Sequence, residues 1–428
     1  MIKVLKRKAY ELADRVSLPP LTRNVGWLTG AELVSRLGRI LAAVILARQL
    51  DAAAFGIAAI ALTLFELVRV FTENGIGAAV IRACDDTVER VSNTAYKMMW
   101  IVCVGLACIQ ICAGLIIEQL VPGKQLGLMI AALSLVFLIM PFGVVHAFRL
   151  IREQRMKRLA AVNSSQAVAD HLLTAVLALA GAGAWAIVLP KLLTAPIWLI
   201  GVCYDRPWNR DRAVGAASTH EILKFSLPVL GAELLTVARD QLDKVIVSLV
   251  LGVEALGLYY FAFNAGLGVS TALNRAFSNA LYPHLCAASD KLKAYRKTVL
   301  TLGLPLCLAY FAQAAAALLY VPIVFGERWA SAAILVSILC LGGPARLLID
   351  GVRMYHRSAG ASSKELITTI GLASIVLIPF SAAIGWGLMP AVIASICGAS
   401  LYALVLTAAM LHRAKGPLPN MQLQGASS

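Results

Sequence analysis

Apolar runs of about membrane-crossing length follow one another along most of this 428-residue chain. A backbone polar group inside lipid must be satisfied within its own segment, so such runs are read as helices. The strict alternation that marks a barrel strand is absent. The chain therefore reads as an all-α integral membrane protein of about twelve transmembrane helices. The first six spans are expected near 26–48, 55–79, 95–117, 126–147, 164–182 and 184–203. The second six are expected near 222–250, 256–282, 299–320, 330–350, 365–384 and 388–411. Gly181-Ala182-Gly183 and Gly252-Val253-Glu254 supply short turns between neighbours.

Composition excludes the soluble alternatives. Hydrophobic residues make up 60% of the chain and charged residues 14%, with a mean hydropathy of +0.79. A soluble domain carries roughly 25% charged residues. A cytosolic enzyme, a secreted disulfide scaffold and a disordered chain are all excluded. The nine cysteines form no C-x-x-C pair. Cys103, Cys108, Cys112, Cys307, Cys340 and Cys397 lie in apolar runs and are expected to be small buried hydrophobes.

The net charge of +15 comes from 38 Lys+Arg against 23 Asp+Glu. Its placement follows the rule that cationic loops stay in the cytoplasm. With the N-terminus inside, the basic groups fall in inner segments: Lys3 to Arg23, Arg82 to Lys97, Arg149 to Arg158, Arg206 to Arg212, Lys291 to Lys297 and Arg353 to Lys364, ending with Arg413 and Lys415. The outer loops hold little beyond Arg48, Lys124 and Arg328. An even number of spans with both termini cytoplasmic follows, and no nucleic-acid partner is needed to explain the charge.

Gly30-Ala31-Glu32-Leu33 recurs as Gly231-Ala232-Glu233-Leu234, and Leu50 and Gly56 recur at the same offset as Leu251 and Gly257. The repeat is parallel, which predicts two six-helix lobes about an axis along the membrane normal. The expected organisation is a basic interfacial arm (1–24), an N-terminal lobe (25–203), a cytoplasmic linker (204–221), a C-terminal lobe (222–413) and a disordered tail (414–428). The arm lacks a cleavage pattern and reads as amphipathic, not as a signal peptide.

A charge at mid-bilayer costs about 2.5–3.5 kcal/mol on insertion scales, so it needs a wet cavity or a partner. The first span stacks Glu32, Arg36 and Arg39 on one helix face, and the second stacks Glu66, Arg69 and Glu73. In the seventh, Glu233, Asp240 and Lys244 share a face flanked by Arg239 and Asp243. Asp170, His171, Lys191, Arg275, Arg346 and Asp350 are further intramembrane candidates. Two readings stay open: charges pairing as glue between helices, as Glu32–Arg36 or Arg239–Asp243 could, or charges lining a hydrated cavity. In a cavity, arginines suit bidentate phosphate binding and a neighbouring carboxylate could titrate. Pro141, Pro190, Pro228, Pro305, Pro379 and Pro390 are hinge or kink candidates. No Walker-type phosphate loop, nucleophile elbow or zinc-protease signature is present.

Leu46-Ala47-Arg48-Gln49-Leu50 with Phe55-Gly56 resembles the first-loop motif of bacterial oligosaccharide flippases. Phe225-Ser226-Leu227-Pro228 through Leu251-Gly252 and Ala255 to Tyr259 is similar to the same family, as is Phe325-Gly326-Glu327-Arg328-Trp329. The family is the polysaccharide transporter branch of the multidrug/oligosaccharidyl-lipid/polysaccharide exporter superfamily (Wzx-like). The resemblance implies two six-helix lobes around a cationic cavity. It further implies movement of an undecaprenyl-diphosphate-linked glycan across the inner membrane by alternating access.

On this reading Arg36, Arg39, Arg69, Arg239, Lys244 and Arg275 are the substrate-binding candidates. Glu32, Glu66, Asp170, Glu233 and Asp240 are the candidates for coupling to H+ or Na+. No cofactor or metal and no enzymatic activity is expected. The partners are the lipid-linked glycan, membrane lipid and the polymerase or export machinery. The alternative is a cation-coupled drug or metabolite antiporter on the same scaffold.

Overall fold

The computed structural model describes residues 35, 38–73, 76–120, 122–153, 155–204, 208–211 and 213–413. Contacts divide the chain into two compact units, Met1–Gln241 and Leu242–Ser428.

In the first unit, helix α1 (38–49) ends at Leu50 and Asp51. The Asp51 carboxylate then accepts the Ala54 N–H at 2.8 Å, an N-cap that starts α2 (Ala52–Glu73). There follow α3 (Ile76–Arg82), α4 (Val88–Leu120), α5 (Leu126–Arg152), α6 (Met156–Leu179), α7 (Trp185–Leu193) and α8 (Ala195–Cys203). At 1.5 Å per residue the 33 residues of α4 reach about 50 Å, well beyond a hydrocarbon core of roughly 30 Å.

Helix α5 is the centre of this unit, packing on α2, α3, α4, α6, α7 and α8. Small residues permit the closest approaches, as expected where lipid supplies no hydrophobic drive between helices. A Cβ on Gly127 would lie 2.0 Å from the Gly114 carbonyl oxygen, and one on Gly77 would lie 2.2 Å from the Phe148 ring. Two polar side chains in these seams bond to backbone. Glu118 accepts the Gly127 N–H at 2.9 Å, and Gln110 Nε2 donates to the Ile130 carbonyl at 3.0 Å.

Along the chain, α9 (Thr219–Ala287) begins in the first unit and ends in the second, and is broken at Gly252, whose φ of 86° and ψ of −177° suit glycine alone. The turn expected at Gly252-Val253-Glu254 is thus a break in an otherwise helical run. In the second unit α10 (Lys291–Thr298) leads through a π turn (Val299–Gly303) into α11 (Leu304–Tyr320), which ends in another π turn (Val321–Phe325). A 3-10 turn (Glu327–Ala332) precedes α12 (Ala333–Leu341) and α13 (Gly343–Ser358). Helices α14 (Ser362–Ala383) and α15 (Leu388–Arg413) pair at the end.

The Phe325 to Trp329 motif is structural: Gly326 has φ 104°, and Trp329 is buried with its ring stacked 3.8 Å from that of Phe261. A second core gathers Phe277, Leu281, Tyr295, Tyr310 and Leu347.

Nine stretches among the described residues are long and apolar enough to cross a membrane. Ile101, Ile109, Leu249 and Ile323 stand on exposed faces, as side chains bathed in hydrocarbon would. An all-α multi-pass membrane protein follows. The differences from twelve have physical reasons. About half of the first expected span, 26–34 with 36 and 37, lies outside the described residues. The fifth is present as α6, but Asn163, Gln166, Asp170 and His171 leave it too polar to qualify. The seventh and eighth run together in α9, where one qualifying stretch, Asp240–Leu267, crosses the Gly252 break. The arm at 1–24 and the tail at 414–428 also lie outside the described residues.

The cysteines correct one expectation. Cys103 and Cys340 are buried and Cys307 partly so, but Cys108, Cys112 and Cys397 are exposed. An apolar side chain facing lipid needs no burial in protein, so an apolar run does not tell which of its faces is covered.

Candidate functional site

The first unit encloses a cavity of about 330 Å³ against the middle and later turns of α5. Phe65, Arg69 and Thr72 approach from α2, Asn163 and Gln166 from α6, Lys191 from α7, and Ala195 and Trp198 from α8. Arg69 is held by Glu66 one turn earlier, Nη2 to Oε2 3.0 Å. Lys191 Nζ lies 2.6 Å from Asp170 Oδ2 on α6. Asp170 is 7% exposed as a residue, whereas the Lys191 side chain is 37% exposed. The carboxylate is therefore sunk in the seam and the ammonium reaches its opening. Nearby, the backbone of Gly38 faces the His171 ring, where an added Cβ would lie at 3.6 Å. Two cations, two amides and an aromatic lining offer charge, hydrogen bonding and stacking to one polar guest.

The second unit has its own polar cluster around the part of α9 beyond Gln241. Lys244 is buried, 3.6 Å from Asp243 and 5.0 Å from the Phe263 ring centroid. Tyr259 donates its hydroxyl to Asp243 Oδ2 at 2.7 Å, and the Arg346 guanidinium lies 6.0 Å from the Phe263 ring centroid. Deeper in this unit, Tyr310 donates to Asn274 Oδ1.

The profile of the polysaccharide biosynthesis protein family matches residues 45–334, more than half of the chain. The chain belongs to that family. Lipopolysaccharide biosynthesis protein WzxC of Escherichia coli K12 is 22% identical over 312 residues, covering 71% of this chain and 62% of WzxC. Succinoglycan biosynthesis transport protein ExoT of Rhizobium meliloti is 22% identical over 346 residues, 77% of this chain and 67% of ExoT. Teichuronic acid biosynthesis protein TuaB of Bacillus subtilis is 21% identical, covering 66% of this chain and 59% of TuaB. The chain thus spans less than two thirds of the length of WzxC and TuaB.

Among solved structures, the lipid II flippase MurJ in an inward closed conformation superposes with TM-score 0.69 at 11% identity, covering 92% of this chain and 93% of that one. An inward-facing multidrug resistance MATE family transporter of the MOP superfamily gives TM-score 0.61 at 16% identity, covering 88% and 94%. At these identities the likeness is one of fold. The resemblance read from the first-loop, Phe225 to Tyr259 and Phe325 to Trp329 stretches is borne out.

In this polysaccharide biosynthesis protein the expected site residues divide by location. Glu66, Arg69 and Asp170 come together with Lys191 in and around the cavity of the first unit. Arg39 lies on α1 and is exposed. Lys244 is buried while Asp240, one turn earlier, is exposed, so the shared face expected of them does not give them a shared setting. Helical spacing fixes direction around the axis but not what packs at each level. Glu233 is half-buried. Glu32 and Arg36 lie outside the described residues, as do the side chains of Glu73, Arg239 and Arg275. Asn163, Gln166, Trp198, Tyr259 and Phe263 were missed as site residues. The amides were detectable, as adjacent-turn polar residues interrupting an apolar run. The aromatics carried no signal distinguishing them from core.

Proposed function

We propose that this protein is a flippase of the bacterial inner membrane that translocates an undecaprenyl-diphosphate-linked oligosaccharide for surface polysaccharide biosynthesis. The observation that carries the reading is the cavity in the first unit, where Arg69 and Lys191 stand beside Asn163, Gln166 and Trp198 at mid-span. A sugar presents hydroxyls to amides and an apolar face to an indole, and a diphosphate or acidic sugar presents charge to the cations. Family membership and relatives named for lipopolysaccharide biosynthesis and succinoglycan transport support the same cargo class. The polar headgroup would cross by alternating access while the polyprenyl tail stays in lipid. Asp170 and Glu66 are the groups through which H+ or Na+ would be coupled. Polymerase and export proteins are the partners that would use the product.

Deletion of the gene tests this. The lipid-linked repeat unit should accumulate on the cytoplasmic leaflet, and surface polysaccharide should fall. Re-expression should restore it, whereas K191Q at equal protein level should not. Normal surface polysaccharide in a strain without a redundant flippase refutes the proposal. Sensitivity to cationic dyes with unchanged glycan would establish the antiporter reading.

A further inference from the structure

One face of α13 carries charge for most of its length. Arg346, Asp350, Arg353 and Arg357 stand at i, i+4, i+7 and i+11, which puts all four in one narrow stripe. The other sides of the helix are packed. Leu347 and Val352 enter the core around Tyr295 and Tyr310, and Ala345 and Ile349 share a core with Ala399 and Ala403 of α15. A charge turned to hydrocarbon at mid-bilayer costs about 2.5–3.5 kcal/mol, so this stripe needs partners or water.

Two of its arginines have acid partners. Arg353 Nη1 lies 3.1 Å from Asp350 Oδ1, and Arg357 Nε donates to Glu365 Oε1 of α14 at 3.1 Å. Arg346 is different. From Ser358, the last residue of α13, to Arg346 is about 18 Å along the axis, near the middle of a hydrocarbon core roughly 30 Å thick. Its side chain is exposed, and among the described residues no hydrogen bond or ion pair holds the guanidinium, which meets the Phe263 ring 6.0 Å away. The acid of that cluster, Asp243, already accepts the Tyr259 hydroxyl and the Lys244 N–H.

A cation–π contact contributes about 0.5–2 kcal/mol, less than the cost of a charge at this depth. The difference has to come from water or from an anion. Arg353 Nε, farther along the same stripe, is buried with no partner among the described residues, a donor that water would satisfy. A guanidinium with its fork open on a wet stripe can give two parallel N–H groups to one oxyanion.

We propose that the stripe of α13 lines a water-filled track in the second unit, and that Arg346 at its inner end binds a phosphate group of the prenyl-linked cargo. That the phosphate belongs to cargo rests on the flippase reading; the track and its anion site do not.

The full chain in neutral detergent, treated with p-hydroxyphenylglyoxal and mapped by peptide mass spectrometry, tests this. Arg346 should be modified. Farnesyl diphosphate at several times its Kd should slow that modification about five-fold, and farnesol should not. Pyrophosphate should protect as well, since the phosphates make the contact. Arg346→Gln should weaken farnesyl diphosphate binding about ten-fold, the worth of one charge-assisted hydrogen bond. Lys124→Gln, a basic change in the other unit, should leave it unchanged. An unmodified Arg346 means a dry face and overturns the track. Modification without protection by either diphosphate, protection by glucuronate instead, or wild-type affinity in Arg346→Gln overturns the phosphate site. The labelling uses the unaltered chain, so it reads the site even if Arg346→Gln does not fold. The flippase reading fails separately: normal surface polysaccharide on gene deletion, with Arg346 still protected, removes the cargo and leaves the anion site.

Discussion

Lys191 and Asp170 join α7 to α6 through a 2.6 Å contact whose acid end is buried and whose basic end reaches the cavity. Removing one partner of a buried pair costs about 3–5 kcal/mol, and an exposed pair about 0–1 kcal/mol. This pair is intermediate, so Asp170→Asn should destabilise the protein by about 1–3 kcal/mol. Asp170→Asn with Lys191→Gln should recover part of the loss, because the unpaired ammonium is gone. Thermal melts of the four proteins in one detergent give the coupling. Additive losses would show that the contact is not energetically real.

Gly127 decides the spacing of α4 and α5. Its missing Cβ would meet backbone, the Gly114 oxygen at 2.0 Å and the Glu118 nitrogen at 2.6 Å, so no side-chain rotation could make room. Gly127→Ala should lower stability by at least about 1–3 kcal/mol, the usual cost of overpacking. Gly105→Ala, on α4 with nothing within 4 Å of the new methyl, should be neutral or slightly stabilising. Melting the two variants side by side checks the contrast.

Gly252 should be irreplaceable within α9. A side chain at φ 86° and ψ −177° is strained by about 1–3 kcal/mol whatever space surrounds it. No atom lies within 4 Å of its would-be Cβ, so the penalty is conformational and not steric. Gly252→Ala and Gly252→Ser should therefore be impaired alike, by yield of folded protein on size exclusion. A loss that scales with side-chain volume would point to packing instead.

Asp290 caps α10, accepting the Leu292 and Lys293 N–H groups at 3.1 and 3.0 Å. The Lys293 amide, then the Lys293 ammonium, holds its carboxyl below the usual range. The stabilisation is present in full above an ordinary aspartate value of about 4 and is lost as pH falls through the depressed folded value. Asp290→Asn should speed amide exchange over 291–298 at neutral pH. Wild type and variant should converge in acid, as a hydrogen-exchange series will read.

The spans were legible because lipid forbids unpaired backbone, which makes an apolar run nearly synonymous with a helix. The charged residues near mid-span were also legible: Glu66, Arg69, Asp170 and Lys191 stand out in apolar surroundings, and they do converge. The partners were not. Nothing near Glu89 in the sequence announces that it serves both Arg149 and Trp208, far along the chain. Nor does Asp243 announce Tyr259 over an Arg or Lys neighbour. Pairing of that kind is chosen by which helices lie side by side, and it leaves no periodic trace. The exposed Cys108, Cys112 and Cys397 make the same point, since hydrophobicity alone does not separate a protein-facing side from a lipid-facing one.

The segment after α8 was expected as a plain connector, yet Asn93 Nδ2 donates to the carbonyls of Asp211 and Gly215, both at 2.7 Å, and Thr94 to that of Ala217 at 2.9 Å. Anyone dissecting this molecule into halves should cut beyond Ala217. A break made earlier would strip away a strap that α4 grips, and would take from the Asn93 amide both of the carbonyls it donates to.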